Sequence, residues 1–381
     1  MGKATSPRVV SEQTMTKSVN FGVFLPVIND GWIISKTSPK YMPSFALNRE
    51  ICTRAHSMGF SYVFAMGKWR GFGGEIDFWK YQLESMTLMT GLAAVVPELR
   101  MIASVAPALI HPAVFAKMAA TMDDVAGGRM GINIVSAGNR DEYAQMGLFP
   151  ENFEEFRYDY TEEWLTIVKR LWAEDSVTFD GEYFTLNDCQ SFPHPAQGAM
   201  PIVCATSSER GFNFIADHCT DGFFGGATLE TKKSRSLRIK EVAAARGRTV
   251  RTHTLISLIL GDSDADAKRI FKHYQDGADQ EAMANIYNLR AREKTASSLA
   301  ILEERKVGSA RLFYGGLPVV GGPEYVADLI EELVVDGDID GVMFTFPDFL
   351  EGLARFDQLV MPLMRARDFA LGEPAGLGLP A

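Results

Sequence analysis

The sequence predicts an α/β protein folded as a single (β/α)8 TIM barrel with insertions. Three observations carry that expectation. Apolar stretches of strand length alternate with amphipathic helical stretches along nearly the whole chain. The strands number about eight, which favours a closed barrel over an open doubly wound sheet. The 381 residues suit one barrel unit, a fold that often runs this long without dividing.

The first strand is Val19–Val27, followed by a long loop carrying Trp32, Tyr41 and Pro43. A helix follows, with Ile51, Ala55 and Met58 on one side and Gly59 placed to end it. Ser61–Met66 is the second strand, and Arg70–Gly74 (RGFGG) after it reads as a flexible glycine turn. A helix with Leu83, Met86 and Leu92 leads to the third strand, Met101–Val105. The next helix, Pro112–Val125, has Val114, Met118, Met122 and Val125 as its apolar stripe, and Gly127-Gly128 closes it. Met130–Val135 is the fourth strand. Phe153–Leu171 is helical, with Trp164, Val168, Leu171 and Trp172 on one face.

A hairpin then interrupts the alternation near residues 177–186. Asp180-Gly181 between two short β-rich runs predicts a type I′ turn outside the barrel. Ile202–Ala205, Asp221–Phe224, Thr254–Leu260 and Gly341–Phe346 supply the remaining strands, and a helix with Leu353, Phe356, Leu359 and Leu363 closes the chain. Residues 277–311 break the rhythm and read as a helical insertion. Residues 1–17 and 371–381 read as tails flanking a barrel over 18–370.

The net charge of -10 argues against a nucleic-acid partner. The cluster Lys232, Lys233, Arg235, Arg238 and Lys240 reads as the solvated face of a helix. The four cysteines form no C-x-x-C pair and no zinc spacing, so no metal is expected, and they read as free thiols of a cytoplasmic protein. No apolar run has the length of a membrane span, so no membrane partner is expected either.

In such a barrel the chemistry sits on the loops after each strand, at the C-terminal face. Those loops hold no nucleophile elbow, zinc motif or Walker loop. The absence of a protein-borne catalytic set points to a cofactor that performs the hard chemistry. Ser208, where a strand turns into a helix, offers an anion the free N–H groups of a helix start. The alternative for Ser208 is a plain helix cap. Arg157 and Tyr158 could add a charged and a neutral donor, although Arg157 could also pair with Glu154 or Asp159. Asn133 stands in the apolar run Met130–Val135, where a buried amide needs partners.

The run Gly127–Val135 (GGRMGINIV), with Glu142-Tyr143, Arg157–Tyr160, Leu171-Trp172, Asp180–Phe184 and Gly322-Pro323-Glu324, resembles the bacterial-luciferase-like flavin monooxygenases. Asp30-Gly31-Trp32, Tyr41-Met42-Pro43, Arg70–Gly74, Phe78-Trp79 and Leu186–Cys189 resemble the pyrimidine-opening branch of that family. The resemblance implies a two-component enzyme using FMN reduced by a separate flavin reductase, with oxygen added at the flavin N5. It implies FMN contacts at Gly67, Lys68, Asn133, Glu142, Arg157, Tyr158 and Ser208, and an oxygen pocket lined by Ser104 and Asn133. It also implies a homodimer or higher homo-oligomer.

The substrate pocket is expected around Trp32, Met66, Trp69 and Gly138. Where the pyrimidine branch carries Thr-Gly-Trp-Gln this chain has Ser136-Ala137-Gly138-Asn139, and Trp69 replaces a leucine. A ring larger than uracil, such as the isoalloxazine of riboflavin, would suit that change. Oxygenation of a sulfonate, sulfone or haloaromatic, and a deazaflavin-dependent dehydrogenase on the same barrel, stay open as alternatives.

Overall fold

A computed structural model describes residues 18–136, 139–293, 312–315, 317–367 and 369–372. The two tails beyond these residues, Gly138 and most of the expected insertion over 277–311 lie outside the described residues.

In chain order the elements are β1 (Ser18–Phe24), α1 (Phe45–Ser57), β2 (Tyr62–Ala65), α2 (Ser85–Val95), β3 (Arg100–Val105), α3 (Pro112–Val125), β4 (Met130–Ile134) and α4 (Arg140–Ala144). Then come α5 (Phe153–Ala173), β5 (Val177–Asp180), β6 (Thr185–Cys189), β7 (Ile202–Ala205), α6 (Glu209–His218), β8 (Asp221–Phe224) and α7 (Leu229–Ala244). The chain continues with β9 (Arg251–Leu260), α8 (Asp264–Asp276), α9 (Gln280–Glu293), β10 (Leu317–Gly321), α10 (Pro323–Val335), β11 (Gly341–Thr345), α11 (Phe349–Leu359), α12 (Met361–Ala366) and β12 (Ala370–Leu371).

β1, β2, β3, β4, β7, β8, β9 and β11 pair in that order, all parallel, and β11 returns to β1. The ring is therefore a closed eight-stranded barrel, made of the eight strands that the sequence pattern singles out. Every residue of β2, β3, β4 and β11 is buried, as expected of strands covered on both faces. Most helices start on a side-chain cap: Ser44, Glu84, Ser208, Thr228, Ser263 and Asp348 each accept a backbone N–H of the first turn.

Several local expectations change. On α3 the stripe is reversed: Val114, Met118 and Val125 are 53%, 39% and 41% exposed, and only Met122 of the four is buried. The face that packs inward is Phe115, Ala116, Ala119 and Ala120. Alanines allow a helix to approach its neighbours closely but add little to a hydropathy pattern, so the bulkier outer stripe dominates it. β5 and β6 pair only with each other, and their turn is not type I′. Neither Asp180 nor Gly181 has a positive φ, and Gly181 N bonds Phe184 O at 3.0 Å across a longer loop. Glu163 supplies the reason, its carboxylate accepting the N–H groups of Glu182, Tyr183 and Phe184.

Lys232 is not solvated. It is fully buried on α7 and donates to Thr254 Oγ1 and Leu255 O. The Arg70–Gly74 loop is pinned rather than free. Asn285 of α9 donates to Phe72 O, and a Cβ on Gly74 would lie 2.6 Å from that of Ala282. The closing helix is broken at Val360, ahead of Pro362, into α11 and α12. β10 lacks a clear sequence signal because it contains Pro318. It pairs with Ile256–Leu260, the part of β9 beyond its pairing with β8, where an edge strand tolerates proline.

Candidate functional site

The loops after β2, β3, β4 and β7, four consecutive strands of the ring, gather most of the sequence candidates at the C-terminal face. Ser104 and Asn133 are register partners on β3 and β4. Asn133 Nδ2 donates to Ser104 Oγ at 2.9 Å, and Ser104 Oγ donates to Ala65 O at 2.8 Å. Ser85, at the start of α2, donates to the same carbonyl and accepts the N–H of Ser104, both at 2.9 Å. The amide is thus oriented by its neighbours, and Asn133 Oδ1 is buried with no partner among the described residues. A buried acceptor of that kind needs a ligand or water to complete it.

Lys68 and Glu142 form a second cluster. Their side chains are 7% and 6% exposed and meet at 2.6 Å. Glu142 Oε1 also accepts the N–H of Trp69 at 2.5 Å, and Gln145 donates to Trp69 O. The short α4 therefore clamps the loop after β2. Lys68 also lies 4.6 Å from the ring centre of Phe72. Burial first, and the Glu142 charge second, push the Tyr143 phenol far above its usual range, so it remains protonated.

The third cluster is the helix start at Ser208. Ser208 Oγ accepts Gly211 N at 3.2 Å, and Thr206 Oγ1 lies 3.4 Å from both Ser208 Oγ and Tyr158 Oη. Gly211 must be glycine for this, since a Cβ there would run into Thr206. Arg157 Cζ lies 5.2 Å from the Tyr158 ring centre, and Asp159 pairs with Arg210. Hydroxyls, a guanidinium and the N-terminus of the ten-residue α6 suit a phosphate.

An open cavity of about 230 Å³ touches Gly67, Trp69, Ser104 and Tyr143. Its remaining lining, which includes Met86, Leu109, Ile110 and Met118, is mostly apolar. Trp69 is 40% exposed at this cavity. Trp32 is placed elsewhere, in a buried aromatic group with Phe24 at 4.4 Å and Trp79 at 5.2 Å. Met66 is half-buried and is not part of the cavity wall. The sequence reading missed Ser85, and it took in Thr206 only as the first residue of the candidate loop Thr206–Arg210. Thr206 belongs to the hydroxyl run Thr206-Ser207-Ser208 at a strand end, a usable signal, whereas nothing marks Ser85 in an apolar helix start.

The donor set fits a flavin mononucleotide: an anion site, an orphaned amide acceptor and a cavity with apolar walls lie on adjacent loops. Comparison with known proteins agrees with the fold and the cofactor class. The luciferase-like monooxygenase family matches residues 19–340. The pyrimidine monooxygenase RutA of Stutzerimonas stutzeri is 38% identical over 353 residues, covering 92% of this chain and 97% of its own. A riboflavin lyase, solved with modified FMN and riboflavin, superposes with a TM-score of 0.80 at 22% identity, covering 96% of this chain and 94% of its own. A long-chain alkane monooxygenase gives a TM-score of 0.81 at 20% identity, covering 95% and 96%.

Proposed function

The chain belongs to the luciferase-like monooxygenase family, and on that premise we propose an FMN-dependent monooxygenase that breaks a carbon–nitrogen bond in a uracil-like N-heterocycle. The observation that carries the reading is the locked Ser104–Asn133 pair with its free acceptor. Reduced FMN, brought by a separate NAD(P)H-dependent flavin reductase, supplies electrons and activates O2 when bound.

The protein's part is binding and orientation. Arg157, Tyr158 and Ser208, with Thr206, would hold the phosphate. Gly67, Lys68 and Glu142 would border the ring, the ion pair fixing the loop that carries Gly67. Asn133 Nδ2 is spent on Ser104, and the Ser104 hydroxyl proton is spent on Ala65 O. The pair therefore presents acceptors, Asn133 Oδ1 and the remaining lone pair of Ser104 Oγ. It holds a proton-bearing atom in place, beside the apolar walls of Met86, Leu109 and Ile110.

Trp69 at the cavity, and glycine at 138, support a ring larger than uracil. The exposed Val114–Met118–Val125 stripe on α3 supports self-association as a homodimer. Four free thiols suit the reducing cytoplasm. The test supplies FMN, NADH, a flavin reductase and isotopically labelled O2 with uracil and with larger uracil-like rings. The reading expects one labelled, ring-opened product. In a parallel assay with sulfonates and haloaromatics, label in those products alone would move the substrate to another class.

A further inference from the structure

The end of the barrel opposite these loops holds a charge that the described chain does not compensate. Arg100 is the first residue of β3 and is 5% exposed. Its Nε and Nη1 are buried with no hydrogen-bond partner among the described residues. The nearby acid is already committed. Asp221 Oδ1 accepts Arg251 Nε at 2.8 Å and His253 Nε2 at 2.9 Å. Asp221 Oδ2 accepts Arg251 Nη2 at 2.9 Å and Thr220 Oγ1 at 2.6 Å. With its proton on Nε2, His253 accepts the Tyr62 hydroxyl at Nδ1, 3.2 Å away. None of these bonds reaches Arg100 Nε or Nη1.

Tyr62, Arg100, Asp221 and His253 line one small cavity whose other walls are apolar. Its free space suits an occupant of about the size of a water molecule. Among the described residues no carboxylate bonds the Arg100 Nε or Nη1, and the Asp221 oxygens are taken up by Arg251, His253 and Thr220. The charges of Asp123 and Arg129 act on Arg100 with opposite signs. We propose that this pocket binds one small monovalent anion, of halide size, against the Arg100 guanidinium. A buried cation without a partner is costly, and an anion of this size supplies the missing countercharge without displacing any bond of the Asp221 network. Burial, with the Arg251 charge adding to it, pushes Arg100 down to about 10, the direction expected of a guanidinium short of a counterion. The site lies at the strand starts, the end of a barrel that serves stability rather than chemistry, so it is independent of the oxygenase reading.

The test is a bromide titration of the full chain at constant ionic strength, with gluconate as the balancing anion. Thermal unfolding should shift upward with bromide and saturate, a rise of about 2 °C by mass action. Arg100→Gln should abolish the bromide dependence. Crystals grown in bromide should show an anomalous peak beside Arg100. No shift in the unchanged protein, or an equal shift in the variant, overturns the proposal. So does a water in the pocket with bromide bound only elsewhere. Should the variant fail to fold, the anomalous map of the unchanged protein decides alone.

Discussion

Asn133 gives its amide N–H to Ser104 Oγ at 2.9 Å while its own Oδ1 stays buried and unpaired. The two halves of one side chain thus have different tasks, one anchored in the barrel wall and one available to a ligand. Asn133→Ala should lower product formation on the order of 10²-fold, the usual loss when a placed polar group is removed from a reacting centre. Stability should fall by about 1 kcal/mol, the usual worth of the lost Nδ2–Ser104 bond, while the unsatisfied carbonyl is no loss, so the fold is kept. Ser104→Thr keeps the hydroxyl and should retain most activity. Rates from labelled-product mass spectrometry, beside thermal melts, check both; an active Asn133→Ala enzyme would remove the residue from the site.

Glu142→Gln should be costly for a different reason. It leaves the Lys68 ammonium, 7% exposed, without its counter-charge. Breaking a buried pair this way costs about 3–5 kcal/mol. Urea unfolding should show a loss of that order, and FMN titration a weaker affinity. Lys68→Met combined with Glu142→Gln should recover much of the stability and none of the affinity. Equal stability of the single variant and the unchanged protein would contradict the buried geometry.

Asp221 sets a pH dependence. Burial pushes its carboxyl up, but the hydrogen bonds and charges of His253 and Arg251 outweigh that and hold it well below the carboxylate range. A folded-state value below the unfolded one stabilises the native protein above about pH 4, and this gain is lost as pH falls further toward the folded value. Asp221→Asn should therefore be less stable near neutrality and show a shallower decline below about pH 4. Unfolding free energies measured across that range decide it, and identical acid limbs would refute the assignment.

Thiol chemistry should rank the cysteines. Cys52 is fully buried, and burial pushes its thiol up to about 12. Cys204 and Cys219 are buried as well, whereas Cys189 on the hairpin is half-buried. Iodoacetamide should label Cys189 first in the native protein and the other three only on unfolding. Peptide mapping reads the order directly.

The outer face of α3 provides a test of assembly. Val114→Glu with Val125→Glu, both outside the cavity wall, should reduce the solution mass to that of a monomer while the circular dichroism spectrum is kept. A monomeric unchanged protein would remove the self-association reading.

The barrel was legible because parallel strands leave apolar runs and helices leave a 3.6-residue period, and the eight runs are the eight strands of the ring. What failed is physical in each case. On α3 the alanine face is the packed one, so bulk pointed to the wrong side. At Asp180-Gly181 a distant carboxylate, Glu163, chose the turn, and no local signal records that. Asn133 stood out because an amide in an apolar strand is improbable without a partner, whereas Ser85 was hidden by its ordinary surroundings. Ser208 was visible as a helix start, but its links to Thr206 and Tyr158 required three dimensions.

The polar groups of the site hang from β2, β3, β4 and β7, one contiguous half of the ring. The loops after β8, β9 and β11 bear none of them. Such a division lets one arc of the barrel keep its electron-transfer equipment while the other is recut by insertion or exchange. Grafting those loops from a relative is then a route to new substrates that leaves cofactor handling intact.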